Sequence, residues 1–343
     1  MSRWCHLATP PGNSGNPGNP SNPGNPGYPG NNLGNQNIQG NPNNQSELRM
    51  SLSIHREIAE RFHKIAIFDF LSKGDGIGDF NTLDSFGWSP ISRALFLKNV
   101  EITRIIIQNS NGTNLNIPSC HGTTPLSIAA SNGLEEITKL LINSGADVNR
   151  EDNVEGPPLI GAITNGHLQI VKVLSRNGAN LDFLTSTGWT PLIKAIYLEE
   201  IEIFKYLIGN GADLEIHTQS GWTPLTMSIF KERIDIIKIL ISKGANVNFK
   251  PINANFPLLK AFEKDNLEIV KILVGNGANV NAFDTNGGTL LQNAIIRHQL
   301  RIVKFLKENG GNPNIRSLNQ RNNSFELTLK MREIDTLKLL LHK

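Results

Sequence analysis

The stretch Thr185-Ser186-Thr187-Gly188-Trp189-Thr190-Pro191-Leu192-Ile193-Lys194-Ala195-Ile196 decides how the chain is read. It is followed by Ile201-Glu202-Ile203-Phe204-Lys205-Tyr206-Leu207-Ile208 and by Gly211-Ala212-Asp213-Leu214-Glu215. At a distance of 33 residues the same order returns: Gly221-Trp222-Thr223-Pro224-Leu225, then Ile236-Ile237-Lys238-Ile239-Leu240, then Gly244-Ala245-Asn246-Val247-Asn248. Pro125, Pro158, Pro191, Pro224 and Pro257 stand 33 apart, and so do Lys139, Lys172, Lys205, Lys238, Lys271 and Lys304. A fixed period of this length, held over most of a chain, marks stacked supersecondary repeats rather than one closed core.

Each repeat has a physical grammar. Thr-Pro starts a helix, because Thr can accept from orphan N–H groups and Pro is tolerated in the first turn. A small residue follows where helices must approach closely: Ala94, Ala129, Ala162, Ala195, Ser228, Ala261, Ala294 and, one residue later in register, Thr328. A second helix carries the apolar pairs. It ends at a glycine able to turn left-handed: Gly145, Gly178, Gly211, Gly244, Gly277 or Gly310. The periodic lysines occur once per repeat and are expected on a solvated helix face.

Working outward, Pro90 to Pro125 spans 35 residues, so two extra residues are expected in the loop around Asn111–Pro118. Leu290 takes the proline place, and a degenerate last repeat runs from about Leu318 to Lys343. The repeat domain is therefore set at 84–343, about eight repeats. Before it, Leu48, Ile54, Ile58, Phe62 and Ile65 recur at helical spacing. Residues 46–81 are expected to form a degenerate capping repeat. Residues 1–45 are rich in Asn, Gly and Pro. Gly12, Gly15, Gly18, Gly24, Gly27 and Gly30 share a three-residue register, but Ser21 breaks it, and a collagen axis admits only Gly. A disordered polar tail is expected instead.

Composition narrows the function classes. Charge is nearly balanced, 33 Lys plus Arg against 30 Asp plus Glu, with no clustered basic face, so nucleic acid is not an expected partner. The two cysteines, Cys5 and Cys120, have no Cys or His neighbours at metal-ligand spacing, which excludes a disulfide framework and fits a reducing compartment. No signal peptide and no apolar run of roughly 20 residues is present. A soluble cytoplasmic monomer, without membrane insertion, is the expectation.

The period, the repeated Thr-Pro-Leu and the repeated Gly-Ala-Asp resemble the ankyrin repeat, over roughly 84–343 and more weakly over 46–81. The resemblance implies an all-α solenoid of stacked helix-turn-helix units. It also implies a non-catalytic scaffold that binds protein partners through a concave face of turn tips and first helices. This chain departs from the family at two columns. The histidine after Leu is replaced by Ser127, Ile160, Ile193, Thr226, Leu259 and Gln292, which implies less regular stacking of the turns. The glycine between paired helices survives only as Gly133 and Gly166.

The resemblance places variable contact positions after the turn glycine and near the end of the first helix. Trp88 with Phe96, Trp189 with Tyr197, and Trp222 with Phe230 fall there, so these six residues are the candidate partner-binding site. Trp189, Tyr197, Trp222 and Phe230 belong to adjacent repeats and are expected to form one patch, rimmed by Lys194, Lys231 and Glu199. The competing reading is that the tryptophans cover neighbouring turns and the other rings pack on the next helix. No catalytic arrangement, cofactor or metal is expected. Gly74-Asp75-Gly76-Ile77-Gly78 follows a helix and lacks a Walker lysine, His55 and His63 lack a third ligand, and Glu135-Glu136 and Glu199-Glu200 read as solvated charges. A second class of function is an adaptor or effector subunit, such as one recruiting substrate to a ubiquitin ligase, with 46–81 as its recruiting module.

Overall fold

The computed structural model describes residues 83, 87–109, 115–119, 122–153, 156–251, 255–318, 323–331 and 334–341. The expected tail and cap, with Cys5, Cys120, His55 and His63, lie outside them. Two compact blocks form, one up to Ala179 and one from Asn180. In the first are α1 (Pro90–Phe96), α2 (Val100–Asn109), α3 (Pro125–Ser131), α4 (Glu135–Asn143), α5 (Pro158–Thr164) and α6 (Leu168–Arg176). The second holds α7 (Pro191–Leu198), α8 (Ile201–Gly209), α9 (Pro224–Phe230), α10 (Ile234–Ser242), α11 (Pro257–Glu263), α12 (Leu267–Gly275), α13 (Leu290–Ile296), α14 (Leu300–Glu308), α15 (Ser324–Met331) and α16 (Ile334–Leu341). Within each block, first helices pack on the first helices of the neighbouring repeats, as α1 does on α3 and α9 on α7 and α11. The expected all-α stack of helix pairs is what the chain forms.

The helix starts follow from the cap chemistry. Ser89, Thr124, Thr190, Thr223 and Thr289 each accept a hydrogen bond from the backbone N–H three residues on. Pro157 and Phe256 take the cap position in α5 and α11 and supply no such bond. Those two starts rest on the fixed φ of the proline that follows. Stacking then needs a column of minimal side chains. Ala94, Ala129, Ala162, Ala195, Ser228, Ala261 and Ala294 are all completely buried, and Ser228 Oγ satisfies itself on the Leu225 carbonyl at 2.7 Å.

A second buried column lies in the second helices: Thr103, Thr138, Val171, Phe204, Ile237, Val270 and Val303, each fully enclosed. The two threonines are tolerated because their hydroxyls donate to the carbonyls of Asn99 (2.7 Å) and Leu134 (2.9 Å), one turn back. Opposite chemistry governs the periodic lysines. Lys139 and Lys205 are half-exposed and pair with Glu135 and Glu202 on their own helices at 2.7 and 2.8 Å, as a solvated face would.

The turns are tied more regularly than the missing histidines imply. A side-chain ladder replaces them. Asn116 accepts from the Asp147 N–H, Asp182 from Asp213, Glu215 from Asn246, Asn248 from Asn279 and Asn281 from Asn312, at 2.7–2.8 Å. Asn248 and Asn281 also donate, to the Gly277 and Gly310 carbonyls, and Asn149 donates likewise to Gly178, each at 2.9 Å. Ionised Asp182 and Glu215 can only accept, so the ladder is incomplete at those two rungs.

Glu215 is half-buried, and its burial pushes the carboxyl above its ordinary range, with the charge of Asp213 adding to the effect and the Asn246 N–H opposing it. A carboxyl raised on folding contributes favourably below its unfolded pKa, and that contribution is lost as pH rises through the folded pKa. At neutral pH the native chain therefore carries a penalty. Glu215→Gln keeps the acceptor, adds a donor and removes the charge, so it is expected to raise stability at pH 7 by about 1 kcal/mol. The gain should shrink as pH falls through the carboxylate range. Urea unfolding of both chains at neutral and acid pH measures it; an equal gap at both pH values rules out burial of the charge as its cause.

Candidate interaction face

The tryptophans are set by their turns. Thr185 Oγ1 accepts from the Trp189 N–H at 2.8 Å, while the Thr185 N–H donates to the Trp189 carbonyl. Thr218 holds Trp222 in the same way. The turn requires a left-handed residue, supplied by Gly188 (φ 82°) and Gly221 (φ 78°). Each indole is thereby folded back against the end of its own first helix. Ring centroids lie 5.2 Å apart for Trp88 and Phe96, 5.0 Å for Trp189 and Tyr197, and 5.2 Å for Trp222 and Phe230. All three expected pairs exist.

Their parts within each pair differ from the expectation of tryptophan anchors. Trp88, Trp189 and Trp222 are only 6%, 4% and 4% exposed, while Phe96, Tyr197 and Phe230 are half-buried and reach the surface. The tryptophans form a floor, and the partner rings stand on it. In the second block a layer of cations covers this floor. Lys194 Nζ lies 5.8 Å from the Trp189 ring centre and Lys260 Nζ 5.0 Å from that of Trp222. Lys231 lies over Tyr197 at 5.1 Å, Lys264 over Phe230 at 4.3 Å and Arg297 over Phe262 at 5.1 Å. Of the rim expected from sequence, Lys194 is itself buried, whereas Lys231 and Glu199 do meet, at 2.9 Å.

Glu199 lies exposed at a helix end, as expected, and it is also engaged by its neighbours. It sits where related repeats carry glycine, at φ 64°, and Glu232 (φ 55°) and Asp265 (φ 54°) repeat the substitution. A left-handed non-glycine residue costs about 1–2 kcal/mol. Here the side chains offset part of that by bridging repeats. Glu199 accepts from Arg233 (3.3 Å), Glu232 from Asn266 (3.0 Å) and Asp265 from Gln299 (2.8 Å). Hydrogen bonding from Lys231, together with its charge, holds the Glu199 carboxyl below the usual carboxylate range.

Lys260, Lys264 and Arg297 were not singled out from the sequence. For two of them a signal was present: Lys264 and Arg297 continue the 33-residue period of Lys231, one position after the column of Phe230, Glu263 and Ile296. Among the described residues no group of three or more His, Cys, Asp and Glu side chains converges as a metal site would need, and no helix is long and apolar enough to cross a membrane.

A family model described as ankyrin repeats (3 copies) matches residues 57–152 and 159–251, and one for ankyrin repeats (many copies) matches 258–306. Curated relatives include the neurogenic locus notch homolog protein 1 of Xenopus tropicalis, 38% identical over 74 residues, which are 22% of this chain and 3% of that protein. The probable 26S proteasome regulatory subunit p28 of Saccharomyces cerevisiae is 27% identical over 32% of this chain and 47% of its own length. Putative ankyrin repeat protein FPV230 of Fowlpox virus is 31% identical over 29% of this chain and 54% of its own. The chain thus spans about half the length of these relatives or far less. Among solved structures, the ankyrin repeat domain of Bcl-3, described as a unique member of the IkappaB protein family, superposes with a TM-score of 0.59. It is 25% identical, covering 64% of this chain and 99% of that one.

Proposed function

Because the chain belongs to the ankyrin-repeat family, we propose that it is a non-enzymatic interaction module that grips a partner protein with the ends of its first helices and its turn tips. One observation carries the reading. In the second block Tyr197 and Phe230 stand at the surface on buried tryptophans, and lysines of the following repeat lie against them. Aromatic rings held rigid before binding lose little side-chain entropy on association, and such residues dominate interface energetics. The floor tryptophans take part by positioning these rings. Trp88 positions Phe96 in the first block in the same manner. Carboxylates on this part of the second block are engaged with neighbouring cations and amides, an arrangement suited to recognition rather than to proton transfer.

Affinity capture with the full chain, followed by titration of the captured partner, tests this. Tyr197→Ala and Phe230→Ala are each expected to weaken binding roughly tenfold or more, about 2 kcal/mol, as interface anchors do. Their melting temperatures should fall by only a few degrees, since neither ring is fully buried. Unchanged affinity in both variants would overturn the assignment of this face.

A further inference from the structure

Resting on the protein-binding reading above, we infer that the second block takes an extended acidic segment, with a carboxylate at every third residue, along the row Lys231, Lys264 and Arg297. The row is periodic, each member following the last by 33 residues, with Leu198 at the position before it. Each cation lies over a ring of the preceding repeat, Tyr197, Phe230 or Phe262. A ring face attracts a cation and holds its long side chain in place, so less freedom is lost when an anion arrives.

Charge complementarity names the occupant. The carboxylates nearby are already engaged: Glu199 with Lys231 and Arg233, Glu263 with Lys260 and Asn255, Glu232 with Asn266, Asp265 with Gln299. Among the described residues, no carboxylate lies within ion-pair distance of Lys264 or Arg297. Lys264 is half-buried, and Arg297 is exposed beside Ile296, an apolar side chain 48% exposed. Lys264 and Arg297 therefore present positive charge next to apolar surface, with no carboxylate at ion-pair distance among the described residues, while Lys231 would exchange its Glu199 partner for a carboxylate of the segment.

Spacing defines the segment. Packed helices lie about 8–10 Å apart, which sets the step between cations of successive repeats. A polyproline-type strand rises about 3.1 Å per residue with three residues per turn, so every third side chain projects from one edge at roughly 9 Å intervals. Single carboxylates between uncharged residues fit that step. A nucleic acid fits less well, because its continuous phosphates would also meet Glu232 and Asp265, the immediate neighbours of Lys231 and Lys264.

Fluorescence anisotropy of a labelled peptide of Glu-Pro-Pro triplets, titrated with the full chain, tests the inference. The peptide should bind, its Gln-Pro-Pro counterpart should bind at least about tenfold more weakly, and added salt should weaken binding. Lys264→Gln and Arg297→Gln should each lower affinity several-fold without shifting the melting temperature. Equal binding of the Gln peptide, absence of binding, or tighter binding of a thymidine oligonucleotide through the same two side chains would each overturn it. The broader reading is judged separately: partner capture that persists in the double variant removes this row from the interface and leaves the interaction module standing. Failure of the unaltered chain to capture any protein removes both.

Discussion

Replacing Phe204 by alanine is expected to cost the folded chain about 3–5 kcal/mol. Phe204 is the largest member of the buried column Thr103, Thr138, Val171, Phe204, Ile237, Val270 and Val303, and none of its surface reaches solvent. Removing the ring loses its transfer free energy and leaves a cavity that the surrounding close-packed side chains refill only in part. Ile is the column's own choice one repeat later, at Ile237. Phe204→Ile should accordingly lose much less than Phe204→Ala. Urea midpoints of both variants decide the matter, and a loss below about 1 kcal/mol for alanine would show that the site collapses freely.

The second large effect is at Trp222. Trp222→Ala is expected to destabilise by about 3 kcal/mol, because the indole is 4% exposed and supports both the Phe230 ring and the Lys260 ammonium. This is the behaviour of a floor rather than of an anchor. Thermal unfolding of Trp222→Ala should shift much further than that of Phe230→Ala, while Phe230→Ala weakens partner binding more per folded molecule. Trp222→Phe, which keeps an apolar ring, should recover part of the loss. The reverse pattern, an unshifted melt with abolished binding, would return the tryptophan to the role of direct anchor.

Much of this architecture was legible because a repeat writes its packing constraints into one dimension. Pro191 and Pro224 mark helix starts, Ala195 and Ser228 mark closest approach, and Gly211 and Gly244 mark helix ends, whatever the neighbours do. Aromatic pairing was legible for the same reason, since Trp189 and Tyr197 sit at opposite ends of one first helix. The exposure of each ring was not. Burial of Trp222 depends on Lys260, and the covering of Phe230 on Lys264, both supplied by the repeat that follows. The turn ladder escaped notice because Asn248 or Asn281 is an ordinary turn residue until the next repeat's N–H lies 2.7–2.8 Å from its oxygen. The bridging role of Glu199 escaped notice for a related reason: sequence displays the charge but neither the left-handed backbone beneath it nor the Arg233 guanidinium one repeat on.

The acids that occupy those left-handed positions restrict how repeats can follow one another. Glu199, Glu232 and Asp265 each present an acceptor, and Arg233, Asn266 and Gln299, which open the next second helix, each present a donor. The junction therefore has a polarity, acid before donor. A repeat that opens its second helix with Glu200 would set carboxylate against carboxylate if transplanted behind any of the three. The repeats carrying Glu232 with Arg233 and Asp265 with Asn266 bear both an acid and a donor, so duplicating, deleting or exchanging them preserves the match, whereas moving the Glu200 repeat behind any of the three breaks it.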